Sequence, residues 1–439
     1  MVNNGAGPGA APESEPESDP ESSRMWTTPE LLRQRSVLTS ISSLLISSTA
    51  AIALGVALGV LVYDVTGSKL DLGWLGLAEF GPTALLVFVS GPVADRFDRR
   101  RIIAIAFAVE AVVCVGFVLF IRGHHASIGP LYLGVIIYGT ARAFGAPAVR
   151  SLIPASAPDL GSLPRVVAIS SVGWQVGAIL GPVIAAWAYD WSPERAFELV
   201  VALQVASVIV ALAVPVAVGR AHVNDDAEVE KPSLRSALEG LRVIRAKPVL
   251  LGAMTLDLVA VLFGGAVALL PAIAKDVLHG GAREVGIMRT AGGIGAALTT
   301  VLLASRPLQR RVGHWMLASV GLFGAATVLL GSARSIVIAV IGMFILNSAD
   351  SVSVFIRSAL VPLVTPPEQR GRVLAVESVF IGGSNELGAF ESGVAGRFLG
   401  TTPAVVSGGV AVLVIVSLFW FVFPSLRDVD RFEDVIPTS

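Results

Sequence analysis

Twelve stretches of predominantly apolar residues, each about twenty residues or longer, dominate this chain, and each is long enough to cross a bilayer as a helix. They run over 37–62, 72–94, 102–121, 128–150, 163–188, 196–218, 248–274, 284–304, 314–333, 335–361, 372–396 and 402–423. Only 15% of the 439 residues are charged, whereas a soluble domain averages about 25%. A chain with so few charges hides most of its surface in lipid. The expectation is an all-α membrane protein that crosses the bilayer twelve times, with the lipid bilayer as its first partner.

Lysine and arginine orient it. With the N-terminus inside, 21 of the 32 Lys and Arg fall on inner segments and seven on outer loops; the other four lie within spans. Loops rich in these residues stay in the cytoplasm, so both termini are expected there. Residues 1–28 are acidic and rich in Pro, Glu and Ser, a composition that cannot bury a core and predicts disorder. The tail lacks the basic start of a secretory signal, so the first span is expected to serve as an uncleaved signal-anchor. The charged segment 219–247 separates two six-span halves, 29–218 and 248–424, and a short inner tail follows at 425–439. Within the linker, Ser233 to Lys247 reads as an amphipathic helix with Leu234, Leu238, Leu241 and Ile244 on one face. It is expected to lie along the inner membrane surface.

The halves repeat. A shift of 207 residues lays Arg150-Ser151 on Arg357-Ser358, Arg165-Val166 on Arg372-Val373 and Leu180-Gly181 on Leu387-Gly388. Parallel six-helix repeats are a transporter arrangement with the substrate site near mid-membrane between them. The net charge of −1 gives nucleic acid nothing to bind, and the five histidines show no metal-ligand spacing. The single cysteine, Cys114, excludes an intramolecular disulfide. No Gly-rich phosphate loop runs into Lys-Ser or Lys-Thr, and no Ser-His-Asp or Cys-His set is apparent. Neither an enzyme nor a cofactor is expected.

Ionisable groups at membrane depth are costly and mark function or a static pair. Arg142 stands in the fourth span, with Glu79 in the second and Glu110 in the third as candidate partners. Asp257 and Glu386 fall near mid-membrane in the second half. Glu79, Glu110, Asp257 and Glu386, with Arg142, are the candidate proton-coupling groups. Asp350 and Arg357, seven apart on one helical face, suit a charge relay, whereas Glu377 is placed to pair with Arg96 or Arg99. The hydroxyls of Ser43 and Ser47, with Gln175, Asn347, Asp350 and Asn385, are candidate cavity residues; hydroxyls in helices also bond back to their own carbonyls. In the fifth span Gly173, Gly177 and Gly181 recur every four residues before Pro182. They let a neighbouring backbone approach closely, and the proline permits a kink.

One loop is more specific. Gly91-Pro-Val-Ala-Asp95-Arg96-Phe-Asp-Arg99-Arg100-Arg101 resembles the loop between helices 2 and 3 of the major facilitator superfamily. It departs from the usual pattern at Pro92 and Asp98. With Pro366-x-x-x-Arg370-Gly-Arg372-Val373 and the Gly181-Pro182 pair, it is similar to the enterobactin-exporter and macrolide-efflux branch. The resemblance implies the major facilitator fold in a bacterial cytoplasmic (inner) membrane. It implies a monomer that exports a small amphipathic organic substrate, a siderophore or a drug, against protons. The fifth-span motif belongs to exporters in that family, although Ala185 and Ala186 stand here where it has glycines. The resemblance also implies a latch in which Gly91, Asp95, Arg96, Arg99 and Arg100 meet Arg370 and Arg372 when the cytoplasmic side closes. An uptake symporter of the same fold, and a sensor or scaffold that no longer transports, are the alternatives.

Overall fold

The computed structural model describes residues 26–123, 127–220, 234–366 and 369–435, apart from the side chains of residues 87, 88, 94, 95, 234–237 and 375. The acidic tail therefore lies almost wholly outside the described residues. Twelve long helices follow one another: α1 Arg35–Thr66, α2 Lys69–Arg96, α3 Arg99–Arg122, α4 Gly129–Ala155, α5 Leu163–Trp191 and α6 Pro193–Ala213 in the first half. The second half holds α7 Pro248–Val277, α8 Ala282–Ser305, α9 Val312–Gly331, α10 Ile336–Val364, α11 Arg370–Leu399 and α12 Thr401–Val422. Most run several residues past the apolar stretch that marks them, because a helix needs no lipid to continue into the interface.

Short polar caps set the tight turns. Ser68 accepts a hydrogen bond from the Asp71 amide, Ser192 from Arg195 and Asp98 from Arg100. Each satisfies an amide that the first helical turn leaves free. Gly67 closes α1 in the left-handed region at φ 61°, which glycine adopts without steric cost.

Nine of these helices are long and apolar enough to cross a membrane on composition alone. The remaining three, α2, α4 and α11, are 28, 27 and 30 residues long. Among their polar residues, Glu79, Arg142, Asn385 and Glu386 face a cavity inside the bundle. Helix α7 departs from the continuous span expected of it. It is α-helical to Phe263, then passes through Gly264-Gly265 into a 3-10 turn at Ala266–Leu269, a short α segment at Leu270–Ala272 and a π turn at Ile273–Val277. Gly265 rests on the Gly388 carbonyl of α11, where a Cβ could not fit.

Each half packs internally and meets the other along two seams, α2 with α11 and α5 with α8. The first seam is closest at one end: Gly73 lies on Phe390, Phe80 on Gly382 and Lys69 on Gly393. These residues are nearest the face opposite the chain's termini. On that face two ion pairs bridge the halves, Lys275 to Asp64 at 2.5 Å and Lys69 to Asp276 at 2.9 Å. The Tyr63 hydroxyl donates to Asp276 at 2.7 Å, and both lysines lie 5.9 Å from its ring centre. Thr401 also donates to Asp276, and Tyr189 donates to Asp64.

The face bearing the termini is built differently. Arg100 ion-pairs with Asp98 and donates to the Val214 carbonyl at 2.7 Å, all within the first half. Arg370 donates to the carbonyls of Pro362 and Thr365 at the end of α10, and Arg372 pairs with Glu239 at 2.7 Å. Arg96 is exposed, and the Asp95 side chain lies outside the described residues. Among the described residues Arg100 thus bonds within the first half, Arg370 within the second and Arg372 to the linker helix. The linker helix, Leu234–Ala246, docks through Gly240 onto α11 and through Ile244 onto α7 and α10. Leu238 on the expected apolar face is exposed.

Candidate substrate site between the halves

A cavity of about 640 Å³ occupies the middle of the bundle. The first half contributes Glu79 from α2, Arg142 from α4 and Trp174 from α5. The second contributes Arg289 from α8, Asn347 and Asp350 from α10, and Asn385 and Glu386 from α11. A second chamber of about 420 Å³ lies mainly among first-half helices, with Thr300 of α8 also in its wall, and Arg142 and Trp174 stand in the walls of both. Ser47, Ser48, Glu110, Arg150 and Gln175 line this second chamber.

Arg142 is held on two sides. Its Nε lies 3.9 Å from Glu79 Oε1, and its Nη1 donates to the Tyr138 hydroxyl at 3.4 Å. Gly139 brings α4 so close to the Glu79 carbonyl that a Cβ would collide with it. That approach keeps the α2 acid beside the α4 guanidinium. Both side chains are about one-third exposed. Their interaction is weakened by solvent, and each remains available to a molecule in the cavity.

Glu110 differs. It is 2% exposed and accepts a hydrogen bond from Gln204 of α6 at 2.6 Å. Its nearest partner is therefore this amide, which the sequence reading did not consider, and Glu79 rather than Glu110 takes Arg142. Asp257, expected as a coupling acid, is sealed in an ion pair with Arg357 of α10. Arg357 Nε also lies 3.2 Å from Glu377 of α11. This closes two expectations at once. Arg357 forms no relay with Asp350, because it turns to the α7 and α11 acids, and Glu377 meets Arg357 rather than Arg96 or Arg99.

The remaining cavity candidates divide. Gln175, Asn347, Asp350 and Asn385 all line one chamber or the other. Ser47 lines the second chamber while its hydroxyl donates back to the Leu44 carbonyl at 3.2 Å. Ser43 is fully buried away from both. The α5 glycines form the contact with α1: Gly173 faces Ile41, Gly177 meets Ser48 and Gly181 meets Ile52. Pro182 and Ala186 pack instead on Gly286 of α8, so one helix face serves both the internal packing and a seam. Sequence reasoning passed over Arg289. Its signal was an arginine five residues inside the eighth apolar stretch, as improbable in lipid as Arg142.

The arrangement is two repeated six-helix halves with a mixed-charge cavity at their interface. A family model for the Major Facilitator Superfamily matches residues 40–382. The chain belongs to this superfamily. Its major facilitator fold is shared with a bacterial homologue of the human lysosomal transporter Spinster, solved inward-facing and unoccupied. That likeness has a TM-score of 0.67 at 17% identity and covers 92% of this chain and 99% of the other. A POT family transporter in complex with 5-aminolevulinic acid gives 0.69 at 12% identity, over 90% and 97%. Among curated relatives, the Enterobactin exporter of Shigella flexneri is 24% identical over 396 residues, 88% of this chain and 90% of that protein. The corresponding protein of Escherichia coli O1:K1 / APEC is 23% identical over 394 residues. This superfamily protein is a multi-pass membrane transporter and not an enzyme.

Proposed function

We propose that this chain is a proton-coupled exporter of an amphipathic small molecule, a siderophore or a drug, working by alternating access. Its place is a bacterial cytoplasmic membrane, with both termini in the cytoplasm. The observation that carries the reading is the mixed-charge cavity between two halves that, among the described residues, are bridged by ion pairs at one face. A site between two rocking halves can be offered to each side in turn. With the termini inside, the tied face is the outer one, and the described state is closed outward.

Direction is supported by the likeness to the Enterobactin exporter and by the α5 glycines ending in Gly181-Pro182. Coupling is assigned to Glu79 with Arg142 and to Glu386, since these reach the cavity and can exchange protons with the water that enters it. Asp257 is left out of this role, and Glu110 is secondary. The latch of Asp95 with Arg370 and Arg372 belongs to the opposite state, closed at the cytoplasmic face.

Accumulation of candidate cargo in cells with and without the gene tests direction. Lower accumulation with the gene is expected; higher accumulation refutes export in favour of uptake. Purified protein in proteoliposomes under an imposed pH gradient tests coupling. Cargo movement that ignores the gradient removes the proton from the reading.

A further inference from the structure

The buried and half-buried arginines of this bundle fall into two kinds. Arg142 has Glu79 and Tyr138, and Arg357 has Asp257 and Glu377. Arg289 has no such set. Its Nε is shut off from solvent without a hydrogen-bond partner, and among the described residues no acid lies within ion-pair distance of it. It lines the central cavity all the same. A guanidinium with one nitrogen shut off from water and no ion pair is costly, and that cost is relieved by an anion arriving in the cavity.

Asp350 is the complementary case. It lines the same cavity from α10 and has no ion pair or hydrogen bond among the described residues. The neighbouring register fixes how the two stand. Gly292 of α8 packs on Met343 and Asn347, and Gly295 on Phe344 and Ser348. Helices α8 and α10 therefore run side by side in the same direction. Arg289 lies one turn before Gly292, and Asp350 one turn after Asn347. The rise of an α-helix puts the two about two turns, or roughly 10 Å, apart along the axis. They are too far apart to satisfy each other. Glu79 stands beside Arg142 and Glu386 against Gly76 of α2; both are near enough to act on the charge of Arg289, but neither forms an ion pair with it among the described residues.

We infer that the central cavity is a two-pole site for an amphoteric cargo, with Arg289 taking an acidic group and Asp350 taking a basic group about two helical turns away. This rests on the reading of the cavity as a cargo site and names the class of molecule that fits it. Complementary charges select a partner by penalising the wrong one. A cargo with only one pole leaves the opposite charge of the protein unpaired in the cavity.

The test is equilibrium binding to the purified full-length chain, by calorimetry, of three matched probes. The first is 4'-(aminomethyl)biphenyl-4-carboxylate, whose rigid frame holds ammonium and carboxylate at a comparable separation. The second is its N-acetyl form, which keeps only the anion; the third is its methyl ester, which keeps only the cation. The amino acid is expected to bind about tenfold tighter than either single-pole probe, as one charged hydrogen bond lost on each side implies. Arg289→Gln should bring the amino acid down to the level of its ester, with Arg289→Lys restoring part of the gap. Asp350→Asn should bring it down to the level of the N-acetyl form. Equal binding of all three probes by the unaltered chain, binding of none, or a preference for a single-pole probe overturns the inference. The unaltered chain decides these outcomes, even if a variant fails to fold. Counterflow of the same amino acid in proteoliposomes separates the two readings. Binding with charge preference but no movement refutes transport and leaves the two-pole site standing, whereas movement without charge preference does the reverse.

Discussion

Each half carries an arginine–acid contact at membrane depth, and the two contacts are used in opposite ways. In the second half Arg357 is 4% exposed and closed between Asp257 and Glu377, with scarcely space for a water molecule beside it. In the first half Arg142 and Glu79 stand 3.9 Å apart at a cavity wall, each about one-third exposed. The repeat sharpens the contrast. Arg150 is the counterpart of Arg357 under the 207-residue shift, but it is exposed at the edge of a chamber. A charge deep in the sequence of a span is thus not by itself a transport group. The sealed cluster ties α7, α10 and α11 together; the open pair is placed to respond to whatever enters.

The largest expected effect breaks the sealed cluster. Arg357→Met leaves two carboxyl groups buried without their cation, and removing one partner of a buried pair costs about 3–5 kcal/mol. Thermal unfolding of the purified protein should show a large drop in midpoint, and an unchanged midpoint contradicts the structural role. Next is Gln204→Leu, which strips Glu110 of its amide donor at a site that is 0% exposed on the glutamine side. An orphaned buried acceptor costs about 1–3 kcal/mol, read by the same melt.

The open pair should behave in the reverse manner. Glu79→Gln is expected to shift stability by less than about 1 kcal/mol, because its partner is distant and solvent-screened. It should nonetheless abolish pH-driven movement of cargo in proteoliposomes. A large stability loss with transport intact would erase the distinction between the halves. A fourth substitution probes the ties across the face opposite the termini. Asp276→Asn weakens the contacts to Lys69, Tyr63 and Thr401 together. A loss of about 1.4 kcal/mol changes a population ratio tenfold. Distances between spin labels at the ends of α1 and α7 that lie opposite the termini should spread to longer values, and an unchanged distribution argues that these contacts hold nothing closed.

The smallest effect lies outside the membrane-spanning helices. Trp26 donates from Nε1 to Asp159 at 2.5 Å, and this hydrogen bond holds the Asp159 carboxyl below the usual carboxylate range. A carboxyl lowered by folding contributes stability above its unfolded pKa and loses it as pH falls through the lowered folded value. Trp26 emission should therefore hold steady near neutrality and change only at a pH below the ordinary aspartate range. A transition at or above that range would show that the contact does not bias the proton.

The legible part of this protein follows from one-dimensional regularities. Apolar length specified twelve spans, and an internal shift aligned the two halves, because lipid imposes the same demand on every crossing segment. Arg142 and its choice between Glu79 and Glu110 were visible as costly residues. Which acid answered was not, since Glu110 goes to Gln204 on a helix nearly a hundred residues away, and no spacing encodes that. Asp350 and Arg357 share a helical face at seven residues, yet Arg357 turns to α7 and α11; local periodicity gives a direction but not the neighbour found there.

By itself, then, the sequence determined the helical crossings, their grouping into halves and the short list of charges that needed an explanation. Those are consequences of hydropathy and of repetition along the chain. Only the tertiary structure decided which charges are sealed, which are answered and which face open space. Partnership at depth depends on how helices distant in sequence are brought side by side. The break in α7 at Gly264-Gly265 and Arg289, which has no ion pair among the described residues, both belong to that second kind: each takes its meaning from the helix that stands, or does not stand, against it.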